Sequence, residues 1–190
     1  MMRIPTTTYR IQFHAGFNFE AAKQILSYLE ELGITDVYAS PIFKARKGSS
    51  HGYDVVDSNQ LNPELGTSED FEALTDEIKK RNMGWLQDIV PNHMAYDTQN
   101  LLLLDVLEHG PDSDYFDYFD IEWNHAYESI KGRLLIPFLG DYYSRVLEKG
   151  EIKLIYGNDG FSLNYFNSCF MECNNIQNRN RENKNDFLKL

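Results

Sequence analysis

The chain has 190 residues, of which 42% are hydrophobic and 14% aromatic, and its formal net charge at pH 7 is −11. This apolar content can bury a core and excludes a disordered chain, while the negative charge excludes the basic surface that nucleic acids and anionic lipids attract. Because no apolar run approaches the roughly 20 residues of a membrane span, and no signal-peptide pattern opens the chain, we predict a soluble cytoplasmic protein without nucleic-acid or membrane partners.

The first residues alternate strand and helix patterns. Residues 6–13 alternate as a strand does, and Asn18 can cap the helix that follows. The apolar side of that helix is predicted to consist of Ala22, Ile25, Leu26, Leu29 and Leu32. Gly33 is expected to end the helix, and a second, short apolar strand follows at 35–39.

A long polar stretch then separates the second strand from a second helix. Thr67 and Ser68 can cap this helix, and Gly84 is predicted to end it. Its buried side is predicted to consist of Phe71, Leu74 and Ile78. Residues 85–90 follow as a third buried strand, and the alternation of strands and helices predicts a parallel α/β sheet covered by helices.

The alternation is lost after residue 95. We interpret residues 1–95 as three strands and two helices, 96–170 as a lobe inserted after the third strand, and 171–190 as a disordered tail rich in asparagine and charge. A complete eight-stranded α/β barrel needs roughly 250 residues. We therefore expect a chain that stops before such a fold is complete, and a disrupted reading frame is the favoured explanation.

Two polar clusters lie where the second and third predicted strands lead into loops, and reactive groups of parallel α/β barrels occupy such positions. The residues are His51, Tyr53, Asp54 and Asp57 in one cluster and Asp88, Asn92 and His93 in the other. Carboxylate, amide and imidazole groups can fix sugar hydroxyls, and a tyrosine ring can stack on a pyranose. Taken alone, each cluster is better explained by a capped strand end or a packed turn tyrosine.

Other chemistries lack the residues that they need. The five histidines are too scattered for a metal motif, and the chain contains no GxSxG, GxGxxG or P-loop sequence. Cys169 and Cys173 match neither a redox nor a zinc pattern, so we interpret them as ordinary thiols. Trp85 and Trp123 are interpreted as core residues. No cofactor and no metal is predicted.

The segments HGYDVVD (51–57) and DIVPNHM (88–94) resemble two segments of the α-amylase superfamily, the loop after strand 2 and the first conserved region at the end of strand 3. The segments TYRIQF, YASPIFKARKGSSHGYDVVD, LNPELG and IPFLGDYYSRVLE resemble the maltooligosyl trehalose synthase subfamily, and the similarity extends from about Arg3 to about Phe166. The resemblance implies the amino-terminal part of a (β/α)₈ TIM barrel, strands 1–3, with an inserted lobe after strand 3.

The resemblance also implies a substrate site. Tyr53 would stack beneath the glucose at the cleavage subsite, His93 would hydrogen-bond the same sugar, and Asp54 and Asp88 would orient these neighbours. Asn92 corresponds to a calcium ligand in many α-amylases, but the synthase subfamily is not known to require calcium, so the metal prediction stays empty. Further candidates that match subfamily positions near the cleft are Arg10, Gln12, Ser40, Lys44 and His51.

The implied activity is that of an isomerase of trehalose biosynthesis, a (1→4)-α-D-glucan 1-α-D-glucosylmutase acting on maltooligosaccharides. It would convert the reducing-end α-1,4 linkage to an α,α-1,1 linkage by intramolecular transglucosylation. The superfamily takes its nucleophile and acid/base from strands 4 and 5, and we identify neither in this chain. Nothing in the sequence indicates that Asp117, Asp120 or Glu122 replaces them. The chain alone is therefore predicted to be inactive.

Two other functions remain open. An α-glucan hydrolase would share HGYDVVD and DIVPNHM but should lack the segment IPFLGDYYSRVLE, so the presence of that segment favours the synthase. A non-catalytic glucan-binding remnant would keep Tyr53 and His93 and convert no substrate. In each case the partner is an α-glucan.

Overall fold

The computed structural model describes residues 4–134, 139–157, 160–166 and 168–173. Backbone contacts divide the chain into two compact units, one ending at Ala95 and the other beginning at Tyr96. No helix in these ranges is long and apolar enough to cross a membrane.

The first unit combines a parallel sheet with helices and a hairpin. Its elements are β1 (Thr8–Ile11), α1 (Phe19–Gln24), α2 (Leu26–Glu31), β2 (Asp36–Ala39), β3 (Phe43–Ala45), β4 (Val55–Leu61), α3 (Ser68–Lys80) and β5 (Gly84–Gln87). Strands β1, β2 and β5 form a three-stranded parallel sheet with β2 in the centre. The three predicted strands and their parallel arrangement are therefore confirmed.

The first predicted helix consists of two short helices. The Asn18 side chain caps α1 by accepting a hydrogen bond from the Ala21 N–H at 3.0 Å, as predicted. At Ile25 the chain leaves regular helical geometry, so α1 and α2 meet there. Leu32 is 53% exposed, which contradicts its predicted burial, because α2 ends at Glu31. Gly33 follows with φ of +82°, the conformation expected at a helix end.

The helix α3 begins as predicted and ends earlier. Thr67 and Asp70 form a reciprocal capping box at its start. The predicted buried side is confirmed, with Leu74 and Ile78 in the core and Phe71 packed against it. The prediction that Gly84 ends this helix is wrong: α3 ends at Lys80, and Gly84 is the first residue of β5. Asn82, with φ of +52°, takes the left-handed conformation after the helix that glycine usually provides.

The core of this unit lies between the parallel sheet and the three helices. Its buried residues are Ile11, Phe13, Phe19, Ala22, Leu26, Leu29, Val37, Ala39, Ile42, Leu65, Leu74, Ile78 and Met83. Trp85 packs against them, which confirms its interpretation as a core residue. The parallel register places Ile11, Ala39 and Gln87 side by side, so the next residue of each strand turns to the opposite face of the sheet.

Two sequence interpretations in this unit are corrected. The polar stretch after β2 contains an antiparallel hairpin, in which Ala45 of β3 pairs with Val55 of β4. The hairpin has only weak apolar alternation, because most side chains of β4 are exposed or half-buried. The third parallel strand ends at Gln87, and not at residue 90: the Asp88 N–H still bonds the Ala39 carbonyl at 2.9 Å, after which the chain turns at Pro91 and Asn92.

The second unit contains α4 (Leu101–His109), α5 (Tyr143–Glu148) and an antiparallel sheet of β6 (Ile152–Gly157), β7 (Gly160–Tyr165) and β8 (Ser168–Cys173). It therefore has more regular structure than its irregular sequence pattern indicated. The boundary predicted for the tail is wrong, because residues 171–173 belong to β8 and pair with β7. The predicted disordered segment 174–190 lies outside the described residues.

Candidate functional site

Three side chains from separate parts of the chain meet at the carboxyl ends of the parallel strands. The Tyr53 hydroxyl donates a hydrogen bond to Asp88 Oδ2 at 2.5 Å and accepts one from Arg10 Nη2 at 3.1 Å. Arg10 Nη2 also lies 3.9 Å from Asp88 Oδ2. We call these residues the Arg10–Tyr53–Asp88 group. It brings the two predicted polar clusters together with a residue of β1.

The electrostatics of this group keep the phenol protonated. The hydrogen bond to Asp88 and partial burial raise the pKa of Tyr53, although the hydrogen bond from Arg10 opposes this. The pKa of Arg10 is raised, chiefly by its hydrogen bond to Tyr53. At neutral pH the ring is therefore uncharged beside a permanent cation and a carboxylate. An uncharged ring with a hydroxyl engaged on two sides suits stacking against a sugar.

The sheet supplies two of the three side chains. Asp88 directly follows β5, and its N–H bonds the Ala39 carbonyl of β2, which extends the parallel ladder to the carboxylate. Arg10 lies in β1 beside Tyr38 of β2, and its guanidinium carbon is 5.7 Å from the centre of the Tyr38 ring. This distance is within the range of a cation–π contact, so Arg10 is held on the same side of the sheet as Tyr38.

The third side chain comes from a tight loop between β3 and β4. The Tyr53 N–H bonds His51 Nδ1 at 3.0 Å, and the two rings stack with centroids 6.0 Å apart and an interplanar angle of 24°. Gly52 has φ of +77°, and a Cβ at this position would lie 2.8 Å from the Pro41 carbonyl oxygen. Glycine is required here for both reasons. Gln12 Nε2 donates to the His51 carbonyl at 3.1 Å.

Asp54 stabilises the same loop from within. It accepts a hydrogen bond from the Ser49 hydroxyl, and its Oδ2 lies 3.4 Å from Arg46 Nε. Its Oδ1 lies 3.8 Å from His51 Nδ1. Oδ2 is buried, and the Arg46 contact is an ion pair without hydrogen-bond geometry. Asp54 is thus placed to hold the loop on which Tyr53 lies.

The remaining candidates lie around this group without joining it. Ser40 is fully buried, and its Oγ accepts from the Phe13 N–H at 2.8 Å, which fits a role in holding the end of β1. Lys44 lies in β3 opposite Asp57. Asn92 Oδ1 and His93 Nδ1 are 3.1 Å apart on an exposed turn. Within the described ranges, no hydrogen bond or ion pair links Lys44, Asn92 or His93 to the Arg10–Tyr53–Asp88 group.

Asn92, the residue that corresponds to a calcium ligand in many α-amylases, contacts His93 through its amide oxygen. In the part of the chain that the structure describes, no three His, Cys, Asp or Glu side chains converge to hold a metal.

Sequence reasoning missed side chains that support the site. Gln87 Nε2 donates to the carbonyls of Ser40 and Asp88, at 3.1 and 2.8 Å, and so joins the ends of β2 and β5. Its Oε1 accepts from Trp85 Nε1 at 3.2 Å. The available signal was its spacing: Gln87 lies two residues after Trp85, so a polar side chain occupies the core-facing side of the strand and needs partners there.

The chain is similar to known glucan-acting proteins. A putative maltooligosyl trehalose synthase of Mycobacterium tuberculosis is 41% identical over 141 residues, which cover 70% of this chain and 18% of that protein. The solved maltooligosyltrehalose synthase from Arthrobacter ramosus superposes with a TM-score of 0.75 at 37% identity, covering 89% of this chain and 21% of that one. Alpha-amylase 2 of Dictyoglomus thermophilum is 42% identical over 81 residues, which are 43% of this chain and 14% of that protein.

The chain thus spans about a fifth of the length of the synthases that it matches. The predicted resemblance to the synthases is confirmed by these proteins, and the parallel strands β1, β2 and β5 correspond to part of a TIM barrel. The family model of the alpha-amylase catalytic domain matches residues 20–146, two thirds of the sequence. The chain therefore belongs to the alpha-amylase family.

Proposed function

We propose that this chain forms part of the substrate cleft of a maltooligosyl trehalose synthase, with Tyr53 as the platform beneath a glucose ring. The observation that carries the proposal is the Arg10–Tyr53–Asp88 group, which fixes an uncharged aromatic ring at the carboxyl ends of parallel barrel strands. Active sites of such barrels lie at that end. The similarity to two synthases supports the choice of substrate class.

The proposed reaction moves one glycosidic linkage within a maltooligosaccharide. A carboxylate nucleophile would displace the reducing-end glucose and form a glycosyl-enzyme. The released glucose would turn over within the site, and its anomeric hydroxyl would then attack in place of water. We propose that the nucleophile and the acid/base belong to barrel strands other than β1, β2 and β5, so that the described residues bind and orient the sugar.

The proposal assigns roles to the other candidates. His93, on the turn after β5, would hydrogen-bond the same glucose as Tyr53, and its exposure leaves it accessible to a ligand. Asp54 would hold the Tyr53 loop through Ser49 and Arg46. His51, Asn92 and Lys44 would line the cleft. The cytoplasmic location stays a prediction from the sequence.

Binding is tested by titrating the chain with maltopentaose and measuring the Kd by isothermal titration calorimetry. We expect saturable binding that Tyr53→Ala weakens about twofold to tenfold, since stacking on an aromatic ring contributes about 0.5–1.5 kcal/mol. The matched control is Tyr28→Ala, because Tyr28 lies 59% exposed on α2. Equal affinity of the two variants would contradict the role of Tyr53.

The reaction is tested in a chimera in which residues 4–95 replace the corresponding segment of the Arthrobacter ramosus synthase. We expect maltopentaose to lose reducing ends as a new non-reducing saccharide forms, and Tyr53→Ala to slow this at low maltopentaose concentration. A gain of reducing ends would indicate the α-glucan hydrolase instead. Maltopentaose binding by the chain, together with a properly folded but inactive chimera, would favour the non-catalytic glucan-binding remnant.

A further inference from the structure

We propose that Arg10 and Gln12 are positioning residues, which clamp the loop 51–53 to β1 and so fix the Tyr53 ring before a sugar binds. This inference rests on the proposed function, because fixing the Tyr53 ring affects binding only if a sugar stacks on that ring. It assigns the two β1-side residues a role other than direct substrate contact, and it makes the first barrel strand responsible for the geometry of a loop that follows the second.

Arg10 contacts protein groups at several points, although its side chain is 39% exposed. Its Nη2 donates to the Tyr53 hydroxyl at 3.1 Å, and its Nη1 donates to Gln12 Oε1 at 2.9 Å. Its guanidinium lies over the Tyr38 ring, 5.7 Å from the centroid. These two hydrogen bonds and the contact with the Tyr38 ring fix the orientation of the Arg10 guanidinium group. A side chain held in this way is suited to orient Tyr53.

Gln12 holds the other end of the loop. Its Oε1 accepts from Arg10, while its Nε2 donates to the His51 carbonyl at 3.1 Å and approaches the Phe13 carbonyl at 3.3 Å. The Gln12 side-chain amide therefore links Arg10 to the carbonyl of His51, two residues before Tyr53. Gln12 lies one residue past the end of β1, and its contact with Arg10 places the two side chains next to each other.

The two contacts together define the orientation of the platform. Arg10 fixes the hydroxyl end of the Tyr53 ring, and Gln12 fixes the backbone at His51, whose ring stacks on Tyr53. Asp88 supplies the acceptor for the phenol proton and the charge that balances Arg10. A ring that is fixed before binding loses less conformational freedom when a sugar stacks on it.

The test compares the full chain with Arg10→Met, Arg10→Lys and Gln12→Leu. We expect Arg10→Met and Gln12→Leu each to raise the maltopentaose Kd about twofold to tenfold, because the Tyr53 ring must then be ordered when the sugar binds. We expect Arg10→Lys to recover little of this loss, because a lysine cannot donate in two fixed directions. The matched control is Arg145→Met, which removes a guanidinium lying 5.3 Å from the Tyr142 ring centre in the second unit.

A second readout separates positioning from general stability. The pKa of Tyr53, measured by NMR on labelled tyrosine rings, should rise further in Arg10→Met, since the Arg10 hydrogen bond lowers it. In Gln12→Leu the amide protons of Gly52 and Tyr53 should exchange faster. Arg145→Met should change neither quantity.

The outcomes distinguish the clamp from the proposed function. If a folded Arg10→Met variant kept the wild-type Tyr53 pKa and amide exchange, the clamp would be wrong. If the wild-type chain failed to bind maltopentaose, the proposed function would fail, while the pKa and exchange measurements would still decide the clamp. If Arg10→Met did not fold, the same measurements on Gln12→Leu and Arg10→Lys would decide it.

Discussion

Replacing Gly52 by alanine should destabilise the first unit more than the same change at Gly48. Both glycines have nearly the same positive φ, +77° and +78°, so both substitutions carry a similar left-handed strain of roughly 1–2 kcal/mol. Both also restrict the unfolded chain equally. They differ in their surroundings: an added Cβ at Gly52 would lie 2.8 Å from the Pro41 carbonyl oxygen, whereas nothing lies within 4 Å at Gly48.

The contact with Pro41 must be relieved by moving backbone, because the carbonyl oxygen has no rotamer of its own. Overpacking of this kind costs about 1–3 kcal/mol, which should be the difference between the two variants. Urea unfolding of both, extrapolated to water at equal slope, measures that difference directly. Equal free energies of unfolding would refute the reasoning. Since Gly52 precedes Tyr53, we also expect Gly52→Ala to weaken maltopentaose binding and Gly48→Ala to preserve it.

Four further predictions concern stability and association. Thr67→Ala removes the cap of α3 and should cost about 1 kcal/mol of unfolding free energy, whereas Thr75→Ala inside the same helix should cost none; equal losses would argue against the capping box. Leu29→Ala, at a fully buried site, should cost about 2–5 kcal/mol, and Leu32→Ala, at a 53% exposed site, less than about 0.5 kcal/mol. Asp70 accepts a hydrogen bond from the Thr67 N–H, which lowers the pKa of Asp70 below the ordinary 3.8. The stability that this contact gives the protein is complete above pH 3.8 and is lost as the pH falls through the lowered pKa. In urea unfolding at a series of pH values, Asp70→Asn should therefore lose less stability at acid pH than the wild type does. The chain should associate at micromolar concentration, because the outer strands of its parallel sheet each pair on one side within the described residues and large apolar side chains are exposed; a monodisperse monomer with a sharp thermal transition would contradict this.

Local features of the sequence predicted much of the first unit. These features are short-range patterns, which depend on little outside their own segment. They are the spacing of apolar residues in α1 to α3, the caps at Asn18 and Thr67, and the turn at Gly33. Predictions failed where tertiary pairing decides. The hairpin of β3 and β4 has weak alternation, and β5 begins at Gly84 because a strand boundary follows from pairing with β2.

The sequence by itself determined the alternation of the three parallel strands with helices, the family resemblance and the residue types available at the strand ends. Only the tertiary structure decided which of those residues meet. Arg10, Tyr53 and Asp88 are far apart along the chain, and the parallel register of β1, β2 and β5 and the Gly52 turn bring them within hydrogen-bond distance. Asn92 and His93 contact each other instead, because the chain turns after β5. Contacts between distant residues arise from strand pairing and close packing, which no local pattern encodes.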